Sequence, residues 1–252
     1  MNFPAHLLAL LLAPQQAAPA VSLVAEAGAR FRAGQYAAAI ELYEKAAGLG
    51  PLGAPHRFTL AMAYIAVGRR IEARRELEAL PPNAHHVYWL GRLHAADADY
   101  AAAIETYKRA LAFDPEFSRA YDGMGLAYEA LGNFAEAEKA YRAAIRANSS
   151  RSPWPHQNLG VMLMKLERRD EAESCFRQAL ALLPAFSQAH YQLGRIHELR
   201  GQPDEALARY REGARNADYP DVYYALYRLL KKRGDEAGAG QALQQFRRLG
   251  GK

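Results

Sequence analysis

A single cysteine, Cys175, stands in 252 residues, which excludes an internal disulfide and leaves no cysteine-rich metal site. Its mid-helix place beside Phe176 reads as inert packing rather than as a nucleophile. Runs of β-branched residues are almost absent, so a sheet has little to be built from. Lys+Arg (32) exceed Asp+Glu (27), for a net charge of +5, yet no basic run is longer than Lys231-Lys232-Arg233; no nucleic-acid stripe is expected. The apolar run at 7–13, LLALLLA, falls far short of the roughly 20 residues a membrane-crossing helix needs, so no transmembrane helix is expected. HExxH, P-loop, G-x-S-x-G and Cys/His motifs are missing. Gly123-Met124-Gly125 lies inside a helical pattern rather than after the strand a dinucleotide site requires. No catalytic residue, cofactor or metal ligand is assigned, and an enzyme is not expected.

Small residues and helical periodicity are what the chain has in quantity. At 7–20 the short apolar stretch is closed by Pro14 and followed by Ala18-Pro19-Ala20. That pattern predicts a signal peptide over 1–20 cleaved after Ala20, although 1–6 carry no Lys or Arg. The alternative is an apolar extension or capping segment. Export places the protein in the bacterial periplasm or outside the cell; without it the expected location is the cytoplasm.

From Ala120 the chain reads AYDGMGLAYEALGNFAEAEKAYRAAI. Tyr121, Met124, Gly125 and Tyr128 share one helix face, and Phe134, Ala137, Tyr141, Ala144 and Ile145 share another beyond the turn at Leu131-Gly132-Asn133. The unit is a helix–turn–helix hairpin whose small residues let two helices approach and whose aromatics fill the space beside them. Gly91, Gly125, Gly160 and Gly194 recur at intervals of 34, 35 and 34 residues. Each precedes a helix bearing Ala, an aromatic and Ala: Ala103/Tyr107/Ala110, Ala137/Tyr141/Ala144, Ala172/Phe176/Ala179 and Ala206/Tyr210/Ala214.

This period and these positions resemble the tetratricopeptide repeat (TPR) family, over nearly everything from residue 21 onward. The resemblance implies an all-α right-handed solenoid of about seven hairpins, near 21–53, 54–83, 84–117, 118–151, 152–186, 187–220 and 220–252. Pro81-Pro82 should cut the second helix of the second hairpin short. Glu167 and Arg169 replace the Gly and aromatic usual in the fifth, which follows a longer connection at 148–153. Asp99, Asn133, Asp170 and Asp204 sit where they could cap second helices, and Glu136, Glu138, Glu171 and Glu173 are expected to solvate them. His94 and His197 match Tyr128, and His156 and His190 match Tyr121, so these are read as aromatic substitutes. His85-His86 point to different faces.

The family's first helices line a concave partner-binding surface. One residue round from the packing face lie Phe58, Met62 and Ile65, then Tyr88 and Arg92, then Asp122, Leu126 and Glu129. The face continues through Gln157, Val161 and Met164, then Tyr191, Arg195 and Glu198, and ends at Tyr224, Arg228 and Lys231; Val24 and Phe31 extend it backward. These residues are the candidate groove for a protein or peptide partner, with apolar anchors early and acidic groups or a C-terminal carboxylate against Arg195, Arg228 and Lys231. The competing readings are that Phe58, Met62 and Ile65 pack on neighbouring hairpins and that the late cations are ordinary solvated surface. Peptide-clamp members hold chaperone tails with a Lys–Asn–Asn–Lys–Arg set; only Asn158 matches here, beside Asp122 and Gln192, so that ligand is not expected. The asparagine ladder of glycosyltransferase-associated arrays is missing as well. The expected function is a non-catalytic scaffold or adaptor; the alternative is a self-associating assembly subunit of a cell-envelope complex.

Overall fold

A computed structural model of the chain describes residues 20–147, 151–216 and 219–251. The segment expected to be a signal peptide therefore lies outside the described residues up to 19, as does part of the connection at 148–150. The described residues form helices and turns, with no strand. In order they are α1 over 20–32, α2 Tyr36–Leu49, α3 Ala54–Ala66, α4 Arg70–Glu78, α5 Ala84–Ala96 and α6 Tyr100–Phe113. Then come α7 Ser118–Ala130, α8 Phe134–Arg146, α9 Trp154–Lys165, α10 Arg169–Leu182, α11 Ser187–Leu199, α12 Pro203–Gly213, α13 Pro220–Lys232 and α14 Glu236–Arg248. Consecutive helices pair into hairpins, α1 with α2 through α13 with α14. The chain divides into two compact units, one up to Pro115 and one from Glu116 onward. Within the second, α7, α9, α11 and α13 touch in succession, and α8, α10 and α12 each pack on the first helix of the next hairpin.

Each hairpin is closed by one residue in the left-handed region, at Gly34, Gly68, Ala98, Gly132, Glu167, Gly201 and Gly234. The amide after it donates back to the last turn of the first helix, as in Asn133 N to Tyr128 O at 2.9 Å and Arg168 N to Leu163 O at 3.0 Å. This is the six-to-one bond of a Schellman cap. Ala98 and Glu167 adopt φ of 59° and 58° there without glycine's freedom, a conformation that costs an L residue about 1–2 kcal/mol.

In the third to sixth hairpins, helix separation is set by a glycine facing a ring. A Cβ on Gly91, Gly125, Gly160 or Gly194 would lie 2.6, 2.5, 2.6 or 2.3 Å from the ring of Tyr107, Tyr141, Phe176 or Tyr210. Those rings are buried, so neither partner can move aside. Ion pairs tie second helices to the turn of the next hairpin. Arg168 joins Glu138 on α8, Arg200 joins Glu173 on α10, and Arg233 joins Asp204 on α12. In the first unit Arg69 meets Glu44 on α2, and Asp97 meets Arg70 and Arg74 on α4 with the signs reversed. Glu138 and Glu173 thus do more than solvate their helices; Glu173 is itself buried.

Several local expectations change. Asp99 caps α6 by accepting from Ala102 N at 3.1 Å, but the Asn133 side chain makes no cap bond, and Asp170 and Asp204 lie inside the first turns of α10 and α12. Asn83 and Asp235 cap α5 and α14 instead. The Pro81-Pro82 break leaves α4 only nine residues long. His190 is buried with Nε2 against the Pro184 carbonyl at 2.9 Å, while His94 sits against Arg74 Nη1 at 3.1 Å. Burial pushes the ring pKa of both His156 and His190 down.

Gly125→Leu should lower stability by roughly 1–3 kcal/mol, because Tyr141 cannot yield. Ala98→Gly should raise it by about 0.5–1 kcal/mol by removing the left-handed penalty, net of glycine's entropy. Both are read as shifts of the urea midpoint, and an unchanged midpoint for Gly125→Leu would show that the ring contact does not limit the helix crossing.

Candidate protein-binding face

The candidate residues of the second unit occupy three rows on α7, α9, α11 and α13, fixed by their offset from the packing glycine. Four residues after it stand Glu129, Met164 and Glu198. Glu129 accepts from Tyr141 Oη at 2.9 Å and from Lys165 Nζ on α9 at 2.6 Å. Glu198 repeats the arrangement, accepting from Tyr210 Oη at 2.5 Å and from Arg228 on α13 at 2.6 Å. Burial first, and the adjacent carboxylate second, push the hydroxyl pKa of both tyrosines up. A buried phenol needs an acceptor, and the glutamate supplies it. In the fifth hairpin both partners are replaced together: the ring, on α10, is Phe176, with no hydroxyl, and the position of the glutamate, on α9, holds Met164. Glu129, Glu198 and Arg228 are thereby committed to holding adjacent hairpins together. Lys231 lies 5.6 Å from the Tyr227 ring centre and donates to its hydroxyl at 3.3 Å.

Three residues before the glycine stand Asp122, Gln157 and Tyr191. Asn158 Nδ2 donates to both carboxylate oxygens of Asp122 at 3.0 Å. Burial, only partly offset by that bond, pushes the Asp122 carboxyl up to about 6. Gln157 departs from the expected surface role: it is buried, and among the described residues its Oε1 has no hydrogen-bond partner. One residue after the glycine, Leu126 is half exposed, Val161 is partly covered, and Arg195 is exposed. Among the described residues, Arg195 Nη1 donates to the neutral Gln192 Oε1 alone, at 3.2 Å, and its guanidinium lies 5.8 Å from the Tyr191 ring centre.

Two adjoining hollows open on this face. One, of about 560 Å³, brings together Tyr191, Arg195, Glu198, Tyr224 and Arg228. The other, of about 360 Å³, is walled by Val161, Met164, Lys165, Arg169 and Gln192. Arg195 and Leu199 belong to both. Leu199 was not among the residues expected here; it is about half exposed. It lies four after Arg195, the spacing that would have indicated it.

The first unit differs. Phe58, Met62 and Ile65 are partly buried against that unit's own core, with Phe58 5.3 Å from the His86 ring. Tyr88 packs on Trp89 and Tyr107, and exposed Arg92 lies over the Trp89 ring at 4.7 Å. A cavity of about 870 Å³ there is lined by Val24, Phe31, Tyr43, Leu52 and His56 among the described residues. Also among the described residues, no helix is long and apolar enough to cross a membrane, and no group of three or more His, Cys, Asp or Glu could hold a metal ion.

Family models described as tetratricopeptide repeat match residues 30–93, 118–150 and 158–221, and one described as TPR repeat matches 91–132. The BBSome complex member BBS4 of Bos taurus is 27% identical over 203 residues, covering 66% of this chain and 39% of its own length. The chain thus spans about two fifths of that relative. A TPR protein of Thermus thermophilus superposes with a TM-score of 0.59 and 26% identity over 71% of this chain and 99% of its own. A tetratricopeptide repeat protein of Parabacteroides merdae gives 0.68 at 16% identity, over 92% and 93% of the two chains.

The Asp122 carboxyl is held at about 6 against an ordinary 3.8, so folding favours its neutral form. That contribution is fully present below the ordinary value and is lost as pH rises through about 6. Asp122→Asn, which keeps an acceptor for Asn158, should therefore stabilise the protein at pH 7.5 by on the order of 1–3 kcal/mol. The advantage should vanish near pH 4; denaturation midpoints at both pH values check it, and equal midpoints at pH 7.5 would contradict it.

Proposed function

The chain belongs to the tetratricopeptide repeat family, and from that premise we propose that it is a non-catalytic scaffold holding a polypeptide segment across the first-helix face of the unit from Glu116 onward. The observation that carries this reading is the pair of adjoining hollows that share Arg195 and Leu199. Exposed apolar surface at Leu126, Leu199 and Tyr224 lies on that same row of first helices, on a support of buried rings. Apolar anchors beside separated polar groups are what an extended or helical peptide needs for affinity and register. By its name, the bovine relative is a member of a protein complex, and a scaffold role here is of the same kind. The apolar residues of the first unit act in this reading as core, with Arg92 as the exposed group of that set. Export directed by residues 1–20 completes the proposal; a protein from its native host that begins at Val21 supports it, and an intact Met1 overturns that part.

A photo-crosslinking residue placed at Leu126 or Tyr224, in cells of the source organism, should yield adducts with a second polypeptide. The same residue at Lys139, exposed on α8, should yield few. Equal adducts at all three sites would remove the first-helix face as the binding surface. Adducts between two copies of this chain would favour the self-associating assembly subunit.

A further inference from the structure

Between neighbouring first helices of the second unit, a carboxylate on one hairpin meets a cation on the next, except in one interval. Glu129 on α7 holds Lys165 on α9 at 2.6 Å, and Glu198 on α11 holds Arg228 on α13 at 2.6 Å. Between α9 and α11 the place of the carboxylate is taken by Met164. The cation that follows, Arg195, is bonded only to a neutral amide and, among the described residues, joins no ion pair. The gap coincides with the hollow of about 360 Å³, whose floor is Val161 and Met164 and whose rim includes Arg195 and Leu199.

We propose that a partner polypeptide supplies the missing carboxylate. An Asp or Glu side chain of the bound segment pairs with Arg195, and a large apolar side chain next to it covers Val161, Met164 and Leu199. This deepens the scaffold reading and rests on it. The charge balance of the hollow favours this occupant. Lys165 is already neutralised by Glu129, which leaves Arg169 and Arg195 against Glu167 alone on its wall; of the carboxylates in the adjoining hollow, Glu198 is paired with Arg228 and Asp221 is bonded to Tyr219. A guanidinium presents a planar fork that takes a carboxylate through two parallel bonds. The Tyr191 ring, 5.8 Å from the guanidinium, borders it on one side. Arg228 is already paired with Glu198, and Lys231, which meets the neutral Tyr227 hydroxyl, lines neither hollow, so Arg195 is the cation placed at the gap.

The test is selection from a random linear peptide library on the immobilised full-length chain, run in parallel on Arg195→Glu. Arg195 is exposed, and a thermal melt by circular dichroism checks that the variant folds. The wild type should enrich peptides with an acidic residue beside a large apolar one. Such a peptide, made synthetically, should bind Arg195→Glu about tenfold or more weakly, the loss of one charge-assisted contact. Arg195→Glu should in turn select Lys or Arg at the acidic position. Peptides that enrich without an acidic position, or that ignore Arg195→Glu, overturn this inference yet leave the scaffold reading standing if they suppress the Tyr224 crosslinks. A library that enriches nothing overturns it too, and if the crosslinks also fail the scaffold reading falls with it. A wild-type dimer that Arg195→Glu dissociates would make the occupant a second copy and would equally overturn the proposal.

Discussion

A glycine pressed against an aromatic ring is the contact on which the rest of the structure depends. At Gly125 and its equivalents a methyl group would sit about 2.5 Å from ring carbons, so the first helix can only lie where it does if that residue is glycine. The close crossing buries the ring completely, and a completely buried tyrosine must find an acceptor for its hydroxyl. For Tyr141 and Tyr210 the acceptor comes from one turn further along the same first helix, as Glu129 and Glu198. Its second oxygen then reaches the next hairpin. One steric condition inside a hairpin thus propagates into the linkage between hairpins, which is how a quasi-one-dimensional array transmits order from unit to neighbour.

The fifth hairpin changes both members of this pair at once. There the ring is Phe176, and Met164 stands in the glutamate's place. In this hairpin, keeping the glutamate without the hydroxyl would leave a half-buried carboxylate with one partner fewer, and keeping tyrosine without it would oblige the phenol to find another acceptor, as in the third hairpin, where Ala95 stands four residues after Gly91 and Tyr107 is buried. The double change avoids both adjustments. Asp122 shows the opposite case on the same face. It retains a buried carboxylate against the neutral Asn158 at a carboxyl pKa of about 6, and the fold bears the desolvation cost.

The hairpins were legible in the sequence because their determinants are local and periodic. Glycines 34 or 35 residues apart, a ring about sixteen residues later and a glycine at most turns specify the crossing and the reversal without any long-range information. The face was legible only as a row of positions. Offset from the glycine places Glu129, Gln157 and Arg195 alike on the rim, yet one is held by a tyrosine, one is buried and one is exposed. What separates them is a partner twelve residues on, or in the next hairpin, and periodicity within one helix does not encode that. Turn conformation carried the same limit: Ala98 and Glu167 take the left-handed position because the Schellman bond and the packed helices on both sides require it, whatever residue stands there.

The ion pairs across successive hairpins bear on how such a face acquires specificity. Exposed pairs of this kind contribute little stability singly, about 0–1 kcal/mol each, so losing one between α9 and α11 costs the fold almost nothing. The same loss changes the surface greatly, because a guanidinium no longer satisfied from within sits beside an apolar floor. Where the carboxylate is kept, as at Glu198, the neighbouring cation is spent on cohesion and offers a partner only its outer edge. An array can therefore alter what it recognises by exchanging a glutamate for methionine at one first-helix position, with phenylalanine replacing tyrosine behind it. The packing glycine, the turn and the buried ring all remain in place while the charge presented to solvent changes.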